Sequence, residues 1–291
     1  MTVASSDRRR ALGGPSARSL LMTIFGNNVL PGRGAVWTGT AVDALATLGV
    51  EEKTARQALA RTAADGWLRR ERLGRRVRWT FTPAGHELFQ RGAERIFAFG
   101  AGEREWDGWW LVLFTSVPES RRELRHRLRT RLAWAGFGSP APGVWLTPDP
   151  TREAEAKDVL AELGLAEQAS SFVARYGTIG DQPAVAAAAW DIPALQGRYD
   201  TFLEEFSSIT PRSDEAAFVA HTRLVDRWRH FPFVDPGLPP GLLPTSWSGT
   251  RAAALFADRH DAWRDRAQAW FEATAARHDD GGAEAPDRPD R

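Results

Sequence analysis

Residues 51–79 read EEKTARQALARTAADGWLRRERLGRRVRW, an alanine-rich amphipathic stretch that stops at a glycine and runs into a ribbon crowded with arginine. From Lys53 to Arg78 there are nine basic residues (Lys53, Arg56, Arg61, Arg69, Arg70, Arg72, Arg75, Arg76, Arg78) against two acids, Asp65 and Glu71. Solvated faces usually mix signs, so the imbalance points to a surface that meets an anion. On a wheel at about 100° per residue, Ala55, Ala58, Leu59, Thr62 and Ala63 fall on one side, small enough to let a neighbouring helix come close. Lys53, Gln57, Ala60, Arg61 and Ala64 fall on the other, with Arg56 on the flank. Gly66 closes the helix, and Leu68–Arg72 and Arg76–Thr82 alternate around Leu73-Gly74-Arg75 as a hairpin.

Upstream, Ser16–Phe25 has helical spacing through Leu20, Leu21 and Ile24 before Gly26, Asn27, Pro31, Gly32 and Gly34 break the chain. Ala35–Trp37 is a brief strand. Thr38 or Thr40 can cap a second helix that runs through Leu48 and stops at Gly49. Downstream, Thr82-Pro83 is an N-cap with proline at the first helical position, opening a helix to about Phe99. The order helix, strand, helix, tight turn, helix, hairpin, helix predicts a winged helix-turn-helix over residues 16–100. In that fold the third helix enters a major groove and the hairpin lies against flanking phosphates or the minor groove. The candidate DNA contacts are Lys53, Thr54, Arg56, Gln57 and Arg61 on the helix and Arg69, Arg72, Arg75, Arg76 and Arg78 on the hairpin. Gln57 suits the paired donor and acceptor of adenine, Arg56 and Arg61 suit guanine, and the hairpin arginines suit phosphates.

A second unit follows. Trp109–Thr115 (WWLVLFT) is a continuous apolar strand, Pro118 and Glu119 start a helix through Trp134, and a weak strand lies near Phe137. Gly143–Thr147 is a strand, Arg152–Leu163 a helix and Ser170–Tyr176 a strand. The pattern βαββαβ predicts a ferredoxin-like domain at 105–180, and the fold class as a whole is α+β. Residues 177–189 read as a linker. A mostly helical C-terminal domain spans 188–277, with helices at Ile192–Phe206, Glu215–Phe231 and Thr250 to about Arg277 around a proline-rich loop. Residues 1–15 and 278–291 read as a disordered arm and tail.

Composition narrows the function classes. The chain has 291 residues, no cysteine, and six histidines without a ligand-like pair, which argues against disulfides, a metal site or a cofactor. The net charge of +1 hides a division, with residues 1–100 at +8 and the remainder at −7. That asymmetry suggests a polyanion-binding module on a carrier with another task. The apolar run LLMTIFG is too short for a signal-peptide core, and no stretch approaches the roughly 20 apolar residues of a membrane span. A soluble cytoplasmic protein with no membrane partner is expected.

Four stretches in order, SARSLLMTIFGNNVLP, TARQALARTAADGWL, WWLVLFTSVPESRRELRHRLRTRLAWAGFGSPAPGVWLTP and HTRLVDRWRHFPFVDPGLP, resemble the PaaX family of bacterial transcriptional repressors, named for the phenylacetic acid degradation regulator. The likeness spans roughly residues 16–275. It implies a homodimeric repressor of an aromatic-acid catabolic operon that binds a palindromic double-stranded DNA operator and is released by an aryl-CoA thioester, phenylacetyl-CoA in the namesake. TARQALARTAADGW alone also looks like a GntR-type winged helix, whose effector would be unrelated. By the same resemblance the middle unit looks like the small ferredoxin-fold nuclease subunit of CRISPR adaptation systems, so a metal-dependent nuclease is the competing class. Those nucleases carry an aspartate just after their first strand, and here that position is Thr115-Ser116-Val117. The middle unit therefore reads as a dimerisation and coupling scaffold.

Several clusters have simpler readings. The helix SRRELRHRLRTRLAW could meet DNA or a CoA phosphate, but a solvated helix back over Leu124, Leu128 and Leu132 accounts for it more simply. Trp109, Trp110, Trp134 and Trp145 sit where core packing would want them. Near the C-terminal proline-rich loop, Arg223, Trp228, Arg229 and Trp247 are the effector candidates, although an i, i+3 ion pair between Arg223 and Asp226 explains part of that cluster. No spacing sets a base against a nucleophile, so no catalytic residues and no enzyme activity are expected.

Overall fold

The computed structural model describes residues 15–100 and 106–280, so most of the expected N-terminal arm and the last eleven residues of the expected tail lie outside the described residues. Contacts divide the chain into two compact units that are not consecutive segments. One comprises residues 1–98, 206–229 and 255–291, the other residues 99–205 and 230–254.

In the first unit, α1 (Ala17–Ile24) starts at Ser16, whose side chain accepts from the Ser19 amide. Instead of breaking at Gly26, the chain continues as a π-helical stretch, Phe25–Arg33, that carries Pro31 within it. Then come β1 (Ala35–Trp37), α2 (Thr38–Thr47), α3 (Glu52–Ala64), β2 (Leu68–Leu73), β3 (Arg76–Phe81) and α4 (Pro83–Ala98). Thr38 does not cap α2. Its hydroxyl donates to Val77 O and accepts from Trp79 Nε1, which ties the start of α2 to β3. Gly49 and Gly66 take the left-handed conformation at the ends of α2 and α3, where a side chain would be strained. The sheet order is β1-β3-β2, antiparallel throughout, with Glu71 opposite Arg78. Thr82 caps α4 by accepting from the Gly85 amide.

The core of this unit joins Leu20, Leu21, Ile24 and Phe25 to Leu45, Leu48, Val50, Ala55, Ala58 and Leu59. It is completed by Phe218, Ala267 and Phe271 from α9 (Asp214–Trp228) and α10 (Gly249–Asp280). Asp226, buried on α9, accepts from Ser19 Oγ at 2.6 Å and Thr23 Oγ1 at 3.1 Å. Its ion-pair partner is Arg229 at 3.2 Å rather than the expected Arg223, because Arg229 also reaches back to Ser19. α10 continues through Asp280 and so takes in the first three residues of the expected tail.

In the second unit, β4 (Trp109–Thr115), α5 (Arg122–Trp134), β5 (Gly138–Ala141), β6 (Val144–Thr147), α6 (Glu153–Glu162) and β7 (Ala169–Arg175) follow in the order βαββαβ. The antiparallel sheet runs β5-β6-β4-β7. α5 begins later than Pro118 because the Arg121 amide bonds Pro118 O in a turn first. Leu111 and Leu113 pack on Leu128, Leu132, Val159 and Leu160 beneath α5 and α6. On the other face, Trp110 and Leu146 meet Ala186, Ile192, Leu238 and Leu242.

The segment expected as a linker contains a helix instead, α7 (Gln182–Ala189). Asp181 caps it by accepting from the Ala184 amide, and Pro183 stands in its first turn. It packs closely on β5, since a Cβ at Gly138 would lie 2.5 Å from Trp190 and 2.8 Å from the Ala189 Cβ. α8 (Ile192–Phe206) and the loop segment to Trp247 follow. Trp110 and Trp145 are buried as expected, whereas Trp109 is 37% and Trp134 64% exposed.

Candidate nucleic-acid interface

The elements of residues 51–79 divide along the helical wheel. Ala55, Ala58, Leu59 and Thr62 are buried, while Lys53, Arg56, Gln57, Ala60, Arg61 and Ala64 face solvent and Thr54 is half-buried. Leu59, the largest inward side chain, and the small alanines around it let α1 and α2 approach closely. On the outward face, Glu52, Lys53, Arg56, Gln57 and Ala60 line a shallow, open depression of about 560 Å³.

Partners separate these side chains into two groups. Arg56 is held by Glu52, its Nη2 at 2.7 Å and its Nε at 2.8 Å from Oε1. Arg78 donates to Glu71 across the hairpin at 2.8 Å. Arg72 bonds Gly74 O at the turn. Among the described residues, Lys53, Gln57, Arg61, Arg69, Arg70 and Arg75 have no side-chain partner, so their donors are directed to solvent.

Across the hairpin, residues directly opposite each other share a face. Arg76, Arg78 and Trp37 lie together, with the Arg76 guanidinium 3.8 Å from the Trp37 ring centre and that of Arg78 6.0 Å away. Sequence reasoning missed what lies beside them. The end of α10 reaches this face: Asp279 accepts from Trp37 Nε1 at 2.7 Å and pairs with Arg33, and Arg33 Nε also meets Glu272 at 2.5 Å. The Arg33 guanidinium holds the Asp279 carboxyl below the usual range, and the two carboxylates push Arg33 up. His278 meets Asp43 of α2 at 2.8 Å. More than 230 residues separate these partners, so no local pattern marks them.

The four effector candidates have different surroundings. Trp228 is a fully buried core side chain, its ring stacked 4.6 Å from Phe256 and its Nε1 donating to Ile96 O. Arg229 is committed to Asp226 and Ser19, and Arg223 is exposed. Trp247 belongs to the other compact unit, edge-on to Tyr199 at 5.3 Å. Asp107 is engaged at the start of β4, accepting from the Trp109 amide.

Comparison with known proteins adds the lineage. Three family models match consecutively: "PaaX-like protein" over residues 16–85, "PaaX protein central Cas2-like domain" over 103–186 and "PaaX-like protein C-terminal domain" over 190–273. The chain belongs to the PaaX family. Among relatives, the transcriptional repressor PaaX of Escherichia coli (strain K12) is 29% identical over 251 residues, covering 82% of this chain and 78% of that protein. The uncharacterized protein Rv0674 from Mycobacterium tuberculosis has the same overall fold, with a TM-score of 0.62 at 24% identity over 89% of this chain and 98% of its own. The family boundaries run consecutively, whereas the packing distributes the C-terminal segment over both compact units. No described helix is long and apolar enough to cross a membrane.

Proposed function

We propose that this chain is a cytoplasmic transcriptional repressor whose first unit is a winged helix-turn-helix, with α3 as the recognition helix and β2–β3 as the wing. The observation that carries the reading is the outward face of α3, where Lys53, Gln57 and Arg61 are exposed and unpartnered beside a hairpin bearing Arg69, Arg72 and Arg75. Gln57 and Arg61 read base edges, with Thr54 and Arg56 at the margin of the contact, and the wing arginines hold phosphates. Arg76 and Arg78 do so from a position set by Trp37 and Glu71.

The rest of the reading follows the relative's repressor role. The second unit, a ferredoxin-like domain in this reading, and the C-terminal helices hold a homodimer on a two-fold-symmetric operator. An aryl-CoA thioester releases it by binding better to the arrangement that cannot hold DNA. Of the effector candidates, Arg223 is exposed on the first unit and Trp247 is half-buried in the second, whereas Trp228 and Arg229 are held by the core and the Asp226–Ser19 network of the first unit.

The test is a gel shift on DNA upstream of the protein's own gene and its neighbours, with and without a panel of aryl-CoA thioesters. Arg61→Ala should lose discrimination between that DNA and random DNA. Arg75→Ala should weaken both and reduce the salt slope by about 1. Equal losses for the two variants on both DNAs would defeat the assignment.

A further inference from the structure

The second unit carries a charge distribution that its fold does not require. Over residues 99–205 and 230–254 the sequence holds twelve basic and seventeen acidic residues, yet six of the twelve lie between Arg121 and Arg131. α5 buries Leu128 and Leu132 and turns Arg122, His126, Arg127 and Arg129 to solvent, with Glu123 the single acid on that helix. Two of the six arginines have partners within the unit. Arg131 pairs with Glu162, and Arg125 reaches Glu119 at 4.0 Å and its carbonyl at 3.4 Å. Among the described residues, Arg121, Arg122, Arg127 and Arg129 have none.

This arrangement works against the helix. Arg121 and Arg122 stand at the positive end of the helix dipole, and Arg122–Arg125, Arg125–Arg129 and Arg127–Arg131 set like charges at i, i+3 or i, i+4 spacing. Each costs a little stability, and mixing acids into the same positions would remove the cost. An external polyanion set against this face would offset the cost. Its guanidinium groups spread along three turns of helix. That suits a repeating line of phosphates better than a single folded protein partner.

We propose that the exposed face of α5 is a second, sequence-independent contact for duplex DNA, gripping phosphates outside the stretch read by α3. The inference rests on the reading that the chain binds DNA, but phosphate contacts carry no sequence information, so it is tested without the operator.

The experiment uses the full chain and random-sequence duplexes of increasing length, from one just covering a recognition helix pair to one about three times longer. Affinity is measured by fluorescence anisotropy over a salt series for the unaltered protein and for Arg122→Gln/Arg127→Gln/Arg129→Gln. The unaltered protein should gain affinity with length, and its salt slope should steepen by roughly 2–3, about 0.9 for each added phosphate contact. The triple variant should lose that gain, about tenfold or more on the longest duplex, while its affinity on the shortest stays within about twofold, since each lost phosphate contact removes one released counterion. The Arg→Lys counterpart should restore the slope, because the contact needs charge more than the guanidinium fork. Equal affinities and slopes for the variant and the unaltered protein on the longest duplex overturn the proposal, as does an equal loss at all lengths. Failure of the recognition-helix reading looks different, with Arg61→Ala unchanged on upstream DNA while the α5 variant still loses the gain with length.

Discussion

Tyr199 is 1% exposed, and its hydroxyl donates to Asp235 Oδ2 at 2.5 Å inside a cage made by Phe231, Phe202 and Trp247. Burial pushes the Asp235 carboxyl up, against the pull of the Tyr199 hydroxyl and the Gly237 amide at 2.7 Å. Such a pair is costly to break from one side, because the remaining oxygen stays buried with fewer donors. Tyr199→Phe should therefore lower the unfolding free energy by about 1–3 kcal/mol in denaturant titrations. A change near zero would mean that the loop opens to let water replace the hydroxyl. The pair could not be read from the sequence. Tyr199 and Asp235 are 36 residues apart, and nothing local marks either as buried. By contrast the exposed residues of α3 were legible singly, because Lys53, Gln57 and Arg61 differ from Ala55, Ala58 and Leu59 in the one property a helical wheel sorts.

At the scale of elements, what was legible had a local physical cause. Gly66 stops α3, Thr82 caps α4, and β4 is an apolar run with Trp110 buried on one face and Leu111 and Leu113 on the other. The π-helical Phe25–Arg33 was not legible, since Gly26 and Pro31 signal a break and only packing against the core keeps Phe25 and Val29 in helical continuity. α7 carried its signals openly, with Asp181 as the cap, Pro183 in the first turn and an alanine run after it. Its lack of charge made it read as a spacer. If α7 is a tightly docked element, Gly138→Ala should destabilise the protein by about 1–3 kcal/mol, because the added methyl must displace the Trp190 ring and the Ala189 Cβ. Urea unfolding of the variant checks this, and an unchanged midpoint would show that α7 yields at little cost. The docking of the α10 end against Trp37 and Arg33 belongs to the same class of unreadable contacts, made by elements more than 230 residues apart.

For the molecule as a whole, pH offers a test of how the first unit is closed. His221, on α9, is 2% exposed and shares a 3.0 Å hydrogen bond with His260 of α10, in a setting of Phe97, Trp228 and Phe256 rings. Burial, with smaller contributions from His260 and Arg264, pushes His221 down to about 3. Burial also lowers His260, with Asp261 opposing and Arg264 assisting. The unfolded chain takes up protons near pH 6.5 that the folded pair refuses until much lower pH, so between these values the unfolded state binds more protons. Stability contributed by the pair is complete above that value and falls as pH is lowered toward 3. Chemical denaturation at pH 7.5 and 5.0 should show a clear loss for the unaltered protein and a smaller one for His221→Leu. Equal losses would place the acid sensitivity elsewhere.

The sequence by itself determined the α+β class, most helix and strand positions, and the basic face of residues 51–79, because periodicity, caps and charge act within a few residues of chain. Only the tertiary structure decided that α9 and α10 complete the core around α3. It also decided that Asp226 pairs with Arg229 rather than Arg223, and that α10 ends against the face bearing Trp37 and Arg76. Those outcomes depend on which buried surfaces and charges find each other across hundreds of residues, and that is settled by the competition among all burials at once.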